Sequence, residues 1–177
     1  MANSACGIPT TRHLFRMKSL RRFYLPDATY FITVVTYNRA PILLKDVGLF
    51  WRAWSDIRLL AWVVMEDHFH AIFDPTPHTI SEAVHRFKLR YARNIPAASR
   101  PPRIWQNRFW DHVIRDERDL NRHLDYIHFN PVHHQKATDP FAYKHSSLSE
   151  WYREGVYEKG WGKCEETDEQ MQFGEPG

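Results

Sequence analysis

The apolar positions along the chain divide its first half into a predicted strand followed by a helix. Residues 28–37 (ATYFITVVTY) are rich in β-branched and aromatic side chains, which favours a strand. From Leu44 to Leu60, apolar residues recur every three or four positions, a spacing that predicts an amphipathic helix. The apolar face of this helix is predicted to consist of Val47, Phe50, Trp54 and Ile57.

A pair of strands joined by a short turn comes next. Residues 60–65 are apolar throughout, whereas residues 68–73 alternate between the two faces of a strand. The Glu66–Asp67 pair between them is short enough for a hairpin turn, although it lacks the usual glycine. A second helix is predicted to begin near Ser81 and to end before Pro96.

A further strand and a third helix complete the pattern. Residues 104–114 are predicted to form a strand, bent because its aromatic residues keep no clean period. The third helix begins at the acidic residues around Asp116 and runs to about Asn130, where Pro131 is expected to stop it. Strand–helix–strand twice over predicts an α+β fold of the ferredoxin-like type, an antiparallel sheet with helices packed on one face.

The charge is distributed unevenly between the two ends. Residues 1–40 contain six basic side chains and one acidic, whereas residues 150–177 contain eight acidic and three basic. We therefore predict a basic arm over residues 1–24, a catalytic domain over residues 25–150 and a flexible acidic tail over residues 151–177. A basic arm of this kind favours a polyanion as its partner. The alternative is that the charges of the two termini are simply solvated.

Cysteine usage and hydropathy indicate the compartment. The cysteines are Cys6 and Cys164, which form neither a disulfide framework nor a zinc knuckle. The longest apolar run, residues 59–65, is too short to span a bilayer, and no secretory leader is visible. We expect a soluble protein of the cytoplasm with no membrane partner.

Two histidines in the third predicted strand are candidate metal ligands. His68 and His70 lie two residues apart, so their side chains leave the same face, while Phe69 points the other way into the core. The two rings can therefore converge on one divalent ion. In a chain with eleven histidines, two structural histidines are the alternative interpretation.

The third helix carries a second candidate pair, Tyr126 and Asn130. Residues four apart lie on one face of a helix, so the Asn130 amide oxygen can add a hard ligand to the two imidazoles. Such a set suits Mg²⁺ or Mn²⁺. Tyr126 can act as a nucleophile on a phosphodiester, and a half-buried core tyrosine is the alternative.

Three stretches in this order resemble the IS200-like Y1 tyrosine transposases of the HUH superfamily, and more narrowly the REP-associated tyrosine transposases. They are VVMEDHFHAIF (63–73), WQNRFWDHVIR (105–115) and LDYIHFNPV (124–132). The resemblance implies an RRM-like catalytic sheet, His68 and His70 as metal ligands, Tyr126 on a C-terminal helix as the covalent nucleophile and Asn130 as a third ligand. One departure is Glu66, where the family often has proline, and it is expected to alter the hairpin turn.

The resemblance also implies the DNA partner. The expected substrate is single-stranded DNA folded into the imperfect hairpins of repetitive extragenic palindromes, with a short flanking sequence read as a guide, and the protein is expected to act as a monomer. Basic residues are the candidate phosphate contacts. They are Arg16, Lys18, Arg21, Arg22, Arg86, Lys88, Arg90, Arg108 and Arg115.

Two other functions remain open from the sequence. A catalytically silent module on the same fold would bind DNA hairpins without needing metal or Tyr126. A metallohydrolase built on His68, His70, His133 and His134 would use activated water and form no covalent adduct. The acidic tail also suggests autoinhibition through charge complementarity with the DNA-binding surface.

Overall fold

Residues 29–163 are described by the computed structural model, and they fall into two units, residues 29–115 and residues 116–163. The predicted basic arm and the residues from 164 onward lie outside the described range. Arg16, Lys18, Arg21 and Arg22 are therefore not placed, and neither is most of the acidic segment.

The first unit alternates strands and helices in the predicted order. Its elements are β1 (Tyr30–Val35), α1 (Val47–Ala53), β2 (Leu59–Val64), β3 (His68–Phe73), α2 (Ile80–Asn94) and β4 (Trp110–Val113). In residues 29–115 the strands form one antiparallel sheet in the order β2-β3-β1-β4. This order, with helices after β1 and β3, confirms the predicted ferredoxin-like α+β fold.

One face of this sheet forms the hydrophobic core with α1 and α2. Phe69 is completely buried there, and its ring contacts Phe50 of α1 and Phe87 of α2 at centroid distances of 5.0 Å each. Edge-to-face packing of this kind adds to the stabilisation from burial. The predicted inward orientation of Phe69 is confirmed, and His68 and His70 consequently lie on the opposite face.

The predicted helix over residues 44–60 is shorter in the structure. Helix α1 begins only after Asp46, whose side chain accepts a hydrogen bond from the Gly48 amide at 2.9 Å. It ends at Ala53, and Leu59 already pairs with Phe73 in the sheet. The apolar residues at the end of the predicted helix are therefore shared between a turn and β2, which the helical period alone does not reveal.

The predicted strand over residues 104–114 is confirmed only in its last part. Trp105 makes an isolated bridge to Thr36, and its indole N–H donates to the carbonyl of Lys88 at 3.2 Å. The Lys88 ammonium donates to the carbonyls of Gln106 and Arg108 at 2.9 and 3.3 Å. These carbonyls are therefore turned toward α2, and continuous pairing with β1 begins only at Trp110.

The second unit contains helix α3 (Glu117–His133) and helix α4 (Leu148–Arg153). The prediction that Pro131 ends the helix is wrong, because α3 continues to His133. Because proline has no backbone N–H, α3 forms here with one hydrogen bond fewer. The end comes at Gln135, whose φ of 56° places it in the left-handed region that terminates helices.

The predicted flexible tail begins too early at residue 151. Trp151 in α4 and Tyr157 after it are buried, and the Trp161 ring contacts Phe129 of α3. Residues 151–163 therefore pack as part of the second unit. Across residues 29–163, none of the helices combines the length and apolar character that crossing a membrane requires.

Replacement of Phe69 by alanine tests the aromatic core. Because the ring is completely buried among other rings, we expect Phe69→Ala to lower the free energy of unfolding by about 3–5 kcal/mol. Urea unfolding followed by tryptophan fluorescence measures this change. Leu89→Ala, on the exposed side of α2, is the matched control and should change stability by less than about 0.5 kcal/mol. A Phe69→Ala variant as stable as this control would show that the core lies elsewhere.

Candidate active site

His68 and His70 lie side by side on β3 with their rings fixed in place. Their ring centroids are 5.1 Å apart, and both side chains are buried. His70 is opposite Thr33 of β1, whose hydroxyl is 2.8 Å from Nδ1 of His70. The Phe31 ring stacks on His70 at 5.6 Å. The strand alternation thus produces the same-face pair that the sequence predicts, and the neighbouring strand orients one of its rings.

Asp67 orients the other ring of the pair. Nδ1 of His68 donates to the Asp67 carboxylate at 2.6 Å, and Arg39 donates to the second carboxylate oxygen at 3.3 Å. Burial by itself raises the pKa of Asp67, but the bonds from His68 and Arg39 outweigh it and lower the pKa to about 2. Asp67 is therefore a carboxylate at neutral pH and holds His68 through Nδ1.

The backbone around Asp67 is held by the end of β1. The backbone amide and the hydroxyl of Thr36 both donate to the Asp67 carbonyl, at 2.8 and 2.9 Å. Asn38 and Arg39, which follow, have φ angles of 52° and 49°. Left-handed conformations are unfavourable for residues with side chains and concentrate at functional sites. This turn places Arg39 where it reaches Asp67.

The predicted hairpin turn at Glu66–Asp67 is present between β2 and β3. The Met65 amide donates to the His68 carbonyl at 2.8 Å and closes the two-residue loop. The Glu66 carbonyl accepts from the Leu43 amide at 2.9 Å, which ties the turn to the segment before α1. The turn therefore forms without a glycine and presents Asp67 directly before the histidine pair.

The donor chemistry of this pair fits a divalent metal ion. A ring that donates through Nδ1 to a carboxylate or hydroxyl coordinates a metal through Nε2, and such an outer partner is typical of histidine ligands. Two imidazoles leave coordination positions for oxygen donors, which suits an ion of the manganese type. The chemistry of His68 and His70 therefore fits a divalent metal ion.

Tyr126 and Asn130 lie on one face of α3 in the second unit, as their spacing predicts. Tyr126 is half-buried and Asn130 is buried. The structure thus groups His68 with His70 on β3 and Tyr126 with Asn130 on α3. His133 and His134, the additional histidines of the metallohydrolase alternative, lie at the end of α3 and at its C-cap.

A buried chain of polar groups flanks Tyr126 on α3. It consists of Asp125, His128, Ser147 and Tyr157, and we call it the buried polar chain. Burial lowers the pKa of His128 to about 3 and raises the pKa of Asp125 to about 7, the bond from Tyr157 opposing the latter shift. Burial, reinforced by Asp125, also raises the pKa of Tyr157. All of these groups except Asp125 are therefore uncharged at neutral pH.

The predicted phosphate contacts of the described residues differ in their surroundings. Arg86 and Arg90 on α2 both pair with Asp56, and the Arg90 guanidinium is the main cause that lowers the pKa of this carboxyl far below its usual range. Lys88 is turned inward, and burial lowers its pKa to about 8. Arg108 and Arg115 are exposed. DNA binding by these residues stays a prediction.

Several residues of the site were not singled out from the sequence. Asp67 directly precedes the histidine pair, and this adjacency is a signal that sequence reasoning can use. Thr33 and Arg39 have no such signal, because their contacts depend on the register of β1 against β3 and on the turn after β1. Ser147 and Tyr157 are likewise distant in sequence from the α3 residues that they bind.

Comparison with protein families matches this chain to one described as "Transposase IS200 like", over residues 27–128. The REP-associated tyrosine transposase of Escherichia coli (strain K12) is 31% identical over 159 residues, covering 82% of this chain and 91% of that protein. A Haemophilus influenzae protein that carries the same name provisionally is 28% identical over 165 residues, covering 82% of this chain and 94% of its own length.

A solved structure shows the same similarity in three dimensions. It contains the REP-associated tyrosine transposase bound to a REP hairpin, and it superposes with a TM-score of 0.70 at 27% sequence identity. The superposition covers 86% of this chain and 93% of that chain. The similarity therefore extends over nearly the whole length of the relative.

The role of Asp67 is tested by Asp67→Asn. Loss of the carboxylate that orients His68 should weaken Mn²⁺ binding about 10- to 100-fold, because outer partners of histidine ligands have effects of this size. Isothermal titration calorimetry measures the affinity. Asp111→Asn, an exposed change in β4, is the charge-matched control and should bind Mn²⁺ like the wild type. Equal affinity in both variants would exclude an orienting role for Asp67.

The half-buried Asp125 carboxyl should make stability depend on pH. Its pKa of about 7 in the folded protein exceeds the value of about 3.9 in an unfolded chain, so the folded state binds more protons between these values. The wild type therefore loses stability relative to Asp125→Asn as pH rises, by about 2–3 kcal/mol between pH 5 and pH 8. Urea unfolding at both pH values measures the difference. Glu150→Gln, exposed on α4, should show no such change, and a constant difference for Asp125→Asn would refute the shift.

Proposed function

Since the chain belongs to the IS200-like transposase family, we propose that it is a metal-dependent endonuclease and strand-transferase for single-stranded DNA. Tyr126 is the nucleophile, and His68, His70 and Asn130 are the metal ligands. The observation that carries this proposal is the oriented histidine pair on β3, in which Asp67 and Thr33 fix the two rings through Nδ1. A partner on Nδ1 is typical of histidine metal ligands, and it leaves Nε2 as the nitrogen that would face an ion.

The proposed reaction exchanges one phosphodiester bond for another. The Tyr126 oxygen loses its proton and forms a bond to the phosphorus of the DNA backbone, while the bond from phosphorus to the 3′ oxygen breaks. The 3′ oxygen takes up a proton and leaves as a 3′-hydroxyl, and the 5′ phosphate stays on the tyrosine. Because the bond energy is conserved, a second 3′-hydroxyl can reverse the step and join strands without ATP.

Tyr126 needs help from its surroundings to act at neutral pH. A phenol with a pKa of about 10 is a weak nucleophile until its phenolate form is favoured. A bound Mg²⁺ or Mn²⁺ supplies Lewis acidity that neutralises charge on the scissile phosphate. The protein's own contribution is to hold the tyrosine on a rigid helix, to keep the proton of His68 on Nδ1 and to orient the His70 ring.

The proposed substrate is a REP-type DNA hairpin with a short flanking sequence read as a guide. The relative of known structure was solved with a REP hairpin, and its likeness extends over most of both chains. The exposed guanidinium groups of Arg108 and Arg115 suit phosphate oxygens. We further propose that the protein acts as a monomer. The autoinhibition suggested by the acidic tail concerns residues that lie largely outside the described range and stays a prediction.

A covalent adduct on a denaturing gel tests the tyrosine mechanism. Wild-type protein incubated with labelled hairpin DNA and Mg²⁺ or Mn²⁺ should give a protease-sensitive adduct, and chelator should abolish it. Tyr126→Phe should reduce adduct formation to background, because the attacking oxygen is missing. Tyr152→Phe, which removes an exposed hydroxyl on α4, is the matched control and should form adduct at the wild-type rate.

Two other outcomes would each favour a different function. Cleavage that survives in Tyr126→Phe without an adduct would indicate hydrolysis by activated water. Hairpin binding that resists chelator, with neither cleavage nor adduct, would indicate a binding module on the same fold.

A further inference from the structure

The buried polar chain joins α3 to the segment that follows it. Tyr157 donates its hydroxyl proton to Asp125 at 3.2 Å, and the same oxygen is 2.8 Å from Nδ1 of His128. Nε2 of His128 is 2.8 Å from the Ser147 hydroxyl. His128 and Ser147 are completely buried, and Tyr157 is 6% exposed. The bonds therefore form inside the second unit, where an unsatisfied polar group would be costly.

Counting protons fixes the direction of these bonds. A tyrosine hydroxyl has one proton, so when it goes to the Asp125 carboxylate, His128 must donate from Nδ1 to the Tyr157 oxygen. An imidazole that carries its proton on Nδ1 accepts at Nε2, so the Ser147 hydroxyl then donates to Nε2 of His128. If Asp125 is protonated, every donor and acceptor exchanges roles and each bond is retained. The four side chains can therefore keep the same positions in both states.

A serine-nucleophile function does not fit these residues. A serine bonded to a histidine resembles part of a hydrolase triad, but Ser147 is completely buried and offers no access to a substrate. The chain of bonds also ends at a half-buried carboxyl with a raised pKa. Its location favours a mechanical role within the second unit.

Asp125 and His128 attach α3 to the segment around α4 at two points beside Tyr126. Asp125 immediately precedes Tyr126, and His128 follows it by two positions, so both anchors flank the tyrosine along the helix. Their partners come from either end of α4, since Ser147 is its N-cap and Tyr157 follows it. The Tyr157 ring also packs on Trp161 at 4.5 Å. Two hydrogen-bonded residues at different angles around a helix restrain its rotation about its own axis. They also restrain its distance from the segment that it binds.

We infer that the buried polar chain positions the nucleophile, with Tyr157 as the positioning residue that binds both anchors on α3. This inference rests on the proposed function. Rotation of a helix by about 10° moves a tyrosine hydroxyl at its periphery by roughly 1 Å. A misplacement of roughly 1 Å at a reacting atom can lower a rate about 100-fold. The segment after α3 thereby sets where Tyr126 presents its oxygen, without contacting the DNA.

Tyr157→Phe is the direct test, because it removes the hydroxyl and keeps the ring that packs on Trp161. We expect the single-turnover rate of adduct formation on a labelled hairpin to fall about 10- to 100-fold. The Kd for the same hairpin, measured in chelator, should stay within about twofold of the wild type. Tyr152→Phe, whose hydroxyl is exposed, is the matched control and should change neither quantity.

A conservative change at Asp125 separates positioning from general loss of structure. The amide oxygen of Asp125→Asn can still accept from Tyr157, so this variant should keep a rate near that of the wild type, whereas Asp125→Ala should lose rate like Tyr157→Phe. If Tyr157→Phe does not fold, Ser147→Ala serves as the test, because it breaks the bond to Nε2 of His128.

The outcomes distinguish this inference from the proposed function. A wild type that forms no adduct would overturn the proposed function itself. A wild type that forms adduct, with Tyr157→Phe reacting at the same rate, would overturn only the positioning role. A parallel loss of rate and of hairpin affinity would also overturn it, since that result indicates general damage to the fold.

Discussion

Strand β3 has hydrogen-bonded neighbours on both sides, and the rest of the site depends on this central position. Its alternate side chains must satisfy two different environments at once. Phe69 fills the aromatic core against α1 and α2, and this burial fixes the register of the strand. The register in turn places His70 opposite Thr33, while His68 directly follows Asp67 in the chain. The same packing that stabilises the sheet therefore orients the two imidazoles.

Buried polar groups in each unit are satisfied by residues distant in sequence. In the first unit, Thr36 and Arg39 hold Asp67, which holds His68. In the second unit, Tyr157 and Ser147 hold His128, which flanks the proposed nucleophile. Burial makes these bonds important for stability, because a donor or acceptor without a partner in a dry interior is far less favourable than one in water. Each proposed reactive element thus rests on a supporting set of hydrogen bonds.

Part of the positive charge on the described surface takes part in ion pairs and hydrogen bonds within the fold. Asp56 pairs with both Arg86 and Arg90, and Lys88 caps carbonyls of the segment before β4. The basic residues of α2 therefore offer less positive charge to a phosphate than their number in the sequence suggests. The exposed Arg108 and Arg115 do not follow such a stripe, and they lie on either side of β4.

The sequence by itself determined the element order, the orientation of Phe69 and the same-face pairs on β3 and α3. These features follow from local periods of two and 3.6 residues, which a sequence displays directly. The early end of α1, the continuation of α3 past Pro131 and the packing of Trp151 and Tyr157 were decided by tertiary structure. So were the partners of His70 and His128, because each comes from a separate element. Hydrogen bonds between such elements depend on register and packing, and these are properties of the folded chain that no local pattern contains.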